Sequence, residues 1–191
     1  MTELICLGDS LTFGLGVPTG QKWTALSQSD ALHITNWGVS GDTTGGMLAR
    51  LQALLQSPPA QRPTVLVMGG TNDIFFSGSH SAARGNLAAM VHQLRAGGFP
   101  TLVGIPLPIV PEDAPKKWAE LANFWDAATL LGEYRQWLFT FCETFGVPVV
   151  DFFSDYVNQD GTVRRELFLD GLHPNAQGHR IMAKRLEAAL G

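Results

Sequence analysis

The sequence predicts a three-layer α/β/α sandwich around a parallel sheet, and three observations carry that prediction. Five short runs, Leu4–Leu7, Leu32–Trp37, Val65–Met68, Thr101–Ile105 and Val147–Phe152, are apolar almost without interruption. Strands covered on both faces have this pattern. Longer stretches of helical period separate the runs, which implies right-handed crossovers between parallel strands. The 191 residues, 45 % apolar and 16 % charged, suit one α/β domain over 1–191 with no need of a disulfide or metal staple.

Each helical stretch carries one apolar stripe. Met47, Leu48, Leu51, Leu54 and Leu55 form the first; Leu87, Met90, Val91 and Leu94 form the second. Phe124, Ala128, Leu131, Leu138, Phe141, Cys142 and Phe145 make a third, and Met182, Leu186 and Leu190 a fourth. All four read as core. Pro106, Pro108, Pro111 and Pro115 preclude a regular helix between the fourth run and the third stripe. That segment is expected to be a long loop over the sheet edge.

Composition narrows the function. Net charge is −4 with both signs scattered and no basic run, so a nucleic-acid partner is not expected. No apolar run approaches the length of about 18 residues that a membrane-spanning helix needs. The first strand starts at Leu4, leaving no room for a leader, and Cys6 and Cys142 read as small buried hydrophobes. A cytoplasmic location is the resulting expectation.

Four strand-end or helix-start motifs carry the chemistry. The first run ends in Gly8-Asp9-Ser10-Leu11-Thr12, and the second in Asn36-Trp37-Gly38-Val39-Ser40-Gly41-Asp42. Gly41 allows a backbone N–H to approach a ligand, and Asp42 is placed to cap the helix carrying Met47. The third run ends in Gly69-Gly70-Thr71-Asn72-Asp73, where the Asn72 carboxamide can face a developing negative charge or close an Asx-turn. Asp170-Gly171-Leu172-His173-Pro174 precedes the last helix, with Pro174 expected at its first position. Asp170 can fold back on one imidazole nitrogen of His173, freeing the other to take a proton from Ser10. His33 lies in a strand, His179 on the last helix, and His80 and His92 lack such a carboxylate. No histidine combines with cysteines or acids at zinc spacing, so no metal centre is expected.

Together these blocks resemble the SGNH hydrolases, also called GDSL esterases/lipases, over essentially the whole chain. Gly8-Asp9-Ser10-Leu11, Gly41, Gly70-Thr71-Asn72-Asp73 and Asp170-x-x-His173 carry the resemblance. Within the family the chain is most similar to the compact bacterial branch of arylesterases and multifunctional thioesterase/lysophospholipases. The resemblance implies a flavodoxin-like five-stranded parallel sheet of order 2-1-3-4-5 and no cofactor. It also implies Ser10 as nucleophile, His173 as general base then acid, and Asp170 as the orienting carboxylate. The oxyanion hole would combine the N–H groups of Ser10 and Gly41 with the Asn72 side chain.

Leu11, Phe13, Ile74, Phe75, Phe76, Ile109, Val110, Trp118 and Leu172 lie near the strand ends and would wall the site. An apolar wall suits an acyl or aryl group. The expected substrates are small-molecule esters of short to medium chain, with thioesters and lysophospholipids implied by the resemblance. A carbohydrate O-deacetylase is the second reading. A flavodoxin-like binding module is the non-enzymatic one, opposed by the lack of a G-x-G-x-x-G or P-loop after the first strand. Ser10 also lies outside any G-x-S-x-G elbow, against an α/β-hydrolase.

Overall fold

In the computed structural model, which describes residues 2–191, the five apolar runs become parallel strands. They are β1 (Thr2–Gly8), β2 (Leu32–Gly38), β3 (Thr64–Met68), β4 (Thr101–Ile105) and β5 (Val149–Asp151), ordered β2-β1-β3-β4-β5. Side chains alternate across the sheet. Ile5, Leu7, Val65 and Val67 enter one core with helices α3 (Thr44–Gln56), α5 (Ser81–Ala96) and α6 (Phe124–Phe145). Leu4, Cys6, Leu66 and Met68 enter the other, with Trp23 of α2 (Trp23–Leu26) and with α7 (Ala176–Leu190). β1 and β3 are thus covered on both faces, which is why their runs are continuous in apolar residues, whereas the edge strand β2 buries only Ile34.

Register brings the motifs together. Gly8 of β1 pairs with Gly38 of β2 and with Met68 of β3. The three strands therefore end level, and the turns after them meet at the point where strand order reverses.

The structure corrects several boundaries. β5 covers only Val149–Asp151 rather than Val147–Phe152. The Val147 N–H is spent on the carbonyl of Cys142, closing α6, and Pro148 has no N–H. On α6, Ala127 and Tyr134 are buried, whereas Ala128 is only partly buried and Phe145 is 43 % exposed. Leu190 is likewise exposed at the end of α7. Short helices α1 (Ser10–Phe13), α2 and α4 (Thr71–Ser77) carry too few turns to show a period. The proline-rich segment is not draped over the sheet edge: Leu107, Ile109 and Val110 are buried, and Val110 N–H donates to Gly171 O at 2.7 Å. It buttresses the Asp170–His173 turn.

Candidate active site

β1 turns directly into α1, and the cap is supplied by Asp9, whose Oδ1 accepts the Leu11 N–H at 2.9 Å. Ser10 is thereby released from capping and opens α1 as a buried residue, 7 % exposed. Trp23, fully buried, donates from Nε1 to Leu11 O at 3.0 Å and pins this helix from below. Burial pushes the Asp9 carboxyl up to about 7 against the lowering effect of the Leu11 N–H. Its Oδ2 has no partner among the described residues.

The Asp170 carboxylate performs two tasks. Oδ1 accepts the N–H groups of Leu172 (3.1 Å) and His173 (2.8 Å), closing the turn. Oδ2 lies 2.9 Å from His173 Nδ1. The turn role and the imidazole-orienting role therefore coexist. Partial burial works against the charged carboxyl, but the bonds from the His173 ring and these two N–H groups outweigh it and hold Asp170 below the usual range. On the far side of the ring, Nε2 is 3.0 Å from Ser10 Oγ. With Nδ1–H donating to Asp170, Nε2 is the acceptor for the hydroxyl. Gly171, at φ +73°, makes the turn possible; a Cβ there would sit 2.4 Å from Val110 O.

Pro174 does not open α7. Asn175 is the cap, its Oδ1 accepting from Gln177 N–H (2.9 Å) and Gly178 N–H (3.1 Å). Trp118 meets His173 edge-on, with ring centroids 5.9 Å apart.

Opposite the imidazole stand Gly41 and Asn72. Gly41 adopts φ +79°, a conformation that favours glycine. Asn72 Nδ2 donates to Asp42 O at 2.9 Å, which fixes the carboxamide and leaves its second N–H for another acceptor. Asp42 is not the cap of α3. Thr43 is, accepting the Gly46 N–H, because Arg50 binds the Asp42 carboxylate at 2.7 Å. Asp73 accepts from Thr44 N–H (2.9 Å) and Oγ1–H (2.6 Å), tying α4 to the start of α3.

A cleft of about 200 Å³ opens over Ser10, Gly41, Asn72 and His173, walled by Leu15, Phe75, Phe76, Trp118, Leu121 and Leu172. Four of the expected wall residues are brought there: Phe75, Phe76, Trp118 and Leu172. Leu11, Ile74, Ile109 and Val110 are not; all four are packed inside, and Phe13 faces a separate cleft along β2. Leu15 and Leu121 were missed, since a lone leucine in a turn carries no periodic signal.

The remaining histidines stand apart. His179 is buried with Nδ1 accepting the Trp23 N–H, and burial pushes its pKa down to about 4. No group of metal-ligating side chains occurs among the described residues. Nor is any helix there long and apolar enough to cross a membrane.

The model of the GDSL-like lipase/acylhydrolase family matches residues 6–181, spanning all four motif blocks. The chain belongs to this family. It is 31 % identical over 179 residues to the esterase TesA of Pseudomonas aeruginosa, covering 90 % of this chain and 79 % of that protein. To the arylesterase of Vibrio mimicus it is 28 % identical over 188 residues, 95 % of this chain and 84 % of that one. A lipolytic G-D-S-L protein from Veillonella parvula shares the fold with a TM-score of 0.81 at 22 % identity, covering 98 % and 97 % of the two chains. Family membership makes the chain a carboxylic-ester hydrolase, and the flavodoxin-like sheet expected from the resemblance is the one observed.

Proposed function

We propose that the chain, acting as one domain over 1–191, hydrolyses short- to medium-chain alkyl and aryl carboxylic esters through an acyl-enzyme on Ser10. The observation that carries this reading is the continuous contact from Asp170 through His173 to Ser10, opening on an apolar cleft. His173 Nε2 takes the Ser10 proton as Oγ attacks the ester carbonyl carbon. The resulting oxyanion is received by the N–H groups of Ser10 and Gly41 and the free N–H of Asn72. Collapse expels the alcohol with the proton from His173, and water then attacks the acyl-serine by the same route in reverse. Asp170 keeps its negative charge and stabilises the transient imidazolium.

Size and lining support the substrate class. About 200 Å³ accommodates a short acyl chain or a single ring, and the walls are apolar apart from the reacting groups. A sugar would need polar partners that these walls do not supply, so the carbohydrate O-deacetylase reading is the weaker one. Turnover of short-chain thioesters fits the same acyl site, whereas the long chain of a lysophospholipid would have to extend beyond it. A cytoplasmic place of action is supported by two buried, unpaired cysteines.

A fluorophosphonate reagent, followed by mapping of the modified residue, tests the nucleophile: label on any serine other than Ser10 overturns it. A series of nitrophenyl esters from C2 to C12 tests the substrate. An optimum between about C4 and C8 is expected, whereas indifference to chain length together with turnover of acetylated sugars favours the deacetylase.

A further inference from the structure

We propose that Arg50 is a positioning residue that sets the geometry of the oxyanion site from below. The inference rests on the catalytic reading above. No sequence motif points to Arg50, which lies on α3 beyond the Gly41 block.

Its guanidinium ties together three separate stretches of chain. Nη2 donates to Gly8 O at 3.1 Å, at the end of β1 and two residues before Ser10. Nη1 donates to Trp37 O at 3.0 Å, near the end of β2. Nε and Nη2 both donate to Asp42 Oδ2, at 2.9 and 2.7 Å. Asp42 follows Gly41 directly, and its backbone carbonyl is the acceptor that holds Asn72 Nδ2. One planar group thus fixes the spacing between Ser10, Gly41 and Asn72, the three residues that would donate to the oxyanion. Such spacing matters because donors stabilise a developing charge only when preorganised at hydrogen-bond distance.

The site is built to receive this contact. Gly46, one helical turn before Arg50, leaves room for the Asp42 carboxylate: a Cβ there would lie 1.8 Å from Asp42 Oδ1. Lysine could not replace Arg50, because a single ammonium lacks the planar fork that reaches two strand ends and a carboxylate at once. Arg50 is partly exposed and Asp42 only slightly so, and a partly exposed ion pair adds little to stability. Its effect should therefore fall on turnover.

The test compares wild type with Arg50→Lys, Arg50→Gln and Gly46→Ala, the last displacing the Asp42 carboxylate without touching Arg50. Reactive sites are counted by fluorophosphonate titration, so that kcat is expressed per competent serine. Affinity for an alkylboronic acid, which forms a tetrahedral adduct on serine, is measured beside KM. For all three variants we expect kcat per titrated site to fall about 10- to 100-fold with KM changed less than about threefold. Boronate affinity should fall in parallel with kcat. A loss that disappears when normalised to titrated sites would mean Arg50 only supports folding, and would overturn the proposal. Unchanged kcat in Arg50→Lys would also overturn it while leaving Ser10 as nucleophile intact. Wild-type label on a serine other than Ser10 removes the catalytic reading and this inference with it.

Discussion

Asp170 and His173 are joined twice within one tight turn: the aspartate carboxylate accepts both the backbone N–H of His173 and its ring Nδ1–H, through different oxygens at the closest approach. The bond that shapes the turn and the bond that orients the imidazole therefore come from one side chain. Asp170→Asn separates them. An amide oxygen still accepts the two backbone N–H groups, but the amide nitrogen faces Nδ1 as a donor and favours the wrong tautomer. We expect kcat to fall about 10²–10⁴-fold with thermal stability little changed, read by steady-state kinetics and thermal unfolding. A large loss of stability with normal turnover would show that the turn role dominates.

Ser10 and His173 lie 163 residues apart in sequence and 3.0 Å apart in space. Ser10→Ala removes the hydroxyl without disturbing the cap, which Asp9 provides. Turnover should vanish while the unfolding midpoint stays within a few degrees; near-normal hydrolysis in this variant ends the acyl-enzyme reading.

Asn72→Ala deletes the side-chain donor together with its anchor on Asp42. A fall in kcat of about 10²–10³ with KM nearly constant is expected, since the bond strengthens only as charge develops. A change confined to KM would assign Asn72 to substrate holding.

Phe75, Phe76 and Leu121 line the candidate active-site cleft and also a second cavity of about 270 Å³ beside α4 and α6. Phe75, one of these shared lining residues, packs edge-on against Phe124 with ring centroids 4.5 Å apart. Phe75→Ala should join the two spaces and move the preferred acyl chain upward, each methylene gaining about 0.8 kcal/mol of burial. The ratio of kcat/KM for C10 to C4 nitrophenyl esters measures it, and an unchanged ratio refutes the dividing role.

Asp9 predicts a pH effect on stability. An ordinary aspartate titrates at 3.8, and burial lifts this one to about 7. Between those values the folded chain keeps a proton that the unfolded chain has released, so stability falls as pH rises across the window. Asp9→Asn retains an oxygen for the Leu11 N–H and cannot ionise. Its unfolding temperature should match wild type near pH 4 and exceed it progressively up to about pH 7. A difference independent of pH would exclude this origin.

The candidate reacting groups were legible in the chain because their signals are local. In a parallel sheet the carboxyl ends of the strands form one edge, so Ser10, Gly41 and Asn72 announce themselves by following apolar runs. Asp170 and His173 lie three residues apart, within reach of one turn. Other local signals were misread where a tertiary partner intervened. Asp42 looks like a helix cap in sequence, yet Arg50 claims its carboxylate and Thr43 takes over the cap. Pro174 looks like a helix start, yet Asn175 supplies the better acceptor.

The sequence alone determined four of the five strand runs, the inner members of the helical stripes and which residue types stand at each strand end, because period and turn chemistry depend on neighbours along the chain. Which apolar side chains face the cleft was decided only by the tertiary structure. Leu11, Ile74, Ile109 and Val110 are indistinguishable by type from Leu15 and Leu121, yet the first four are buried in the core and the other two line the cleft. Exposure is a property of packing between distant segments, and so is the reach of Arg50 across 42 residues to Gly8. Neither leaves a mark on the local pattern.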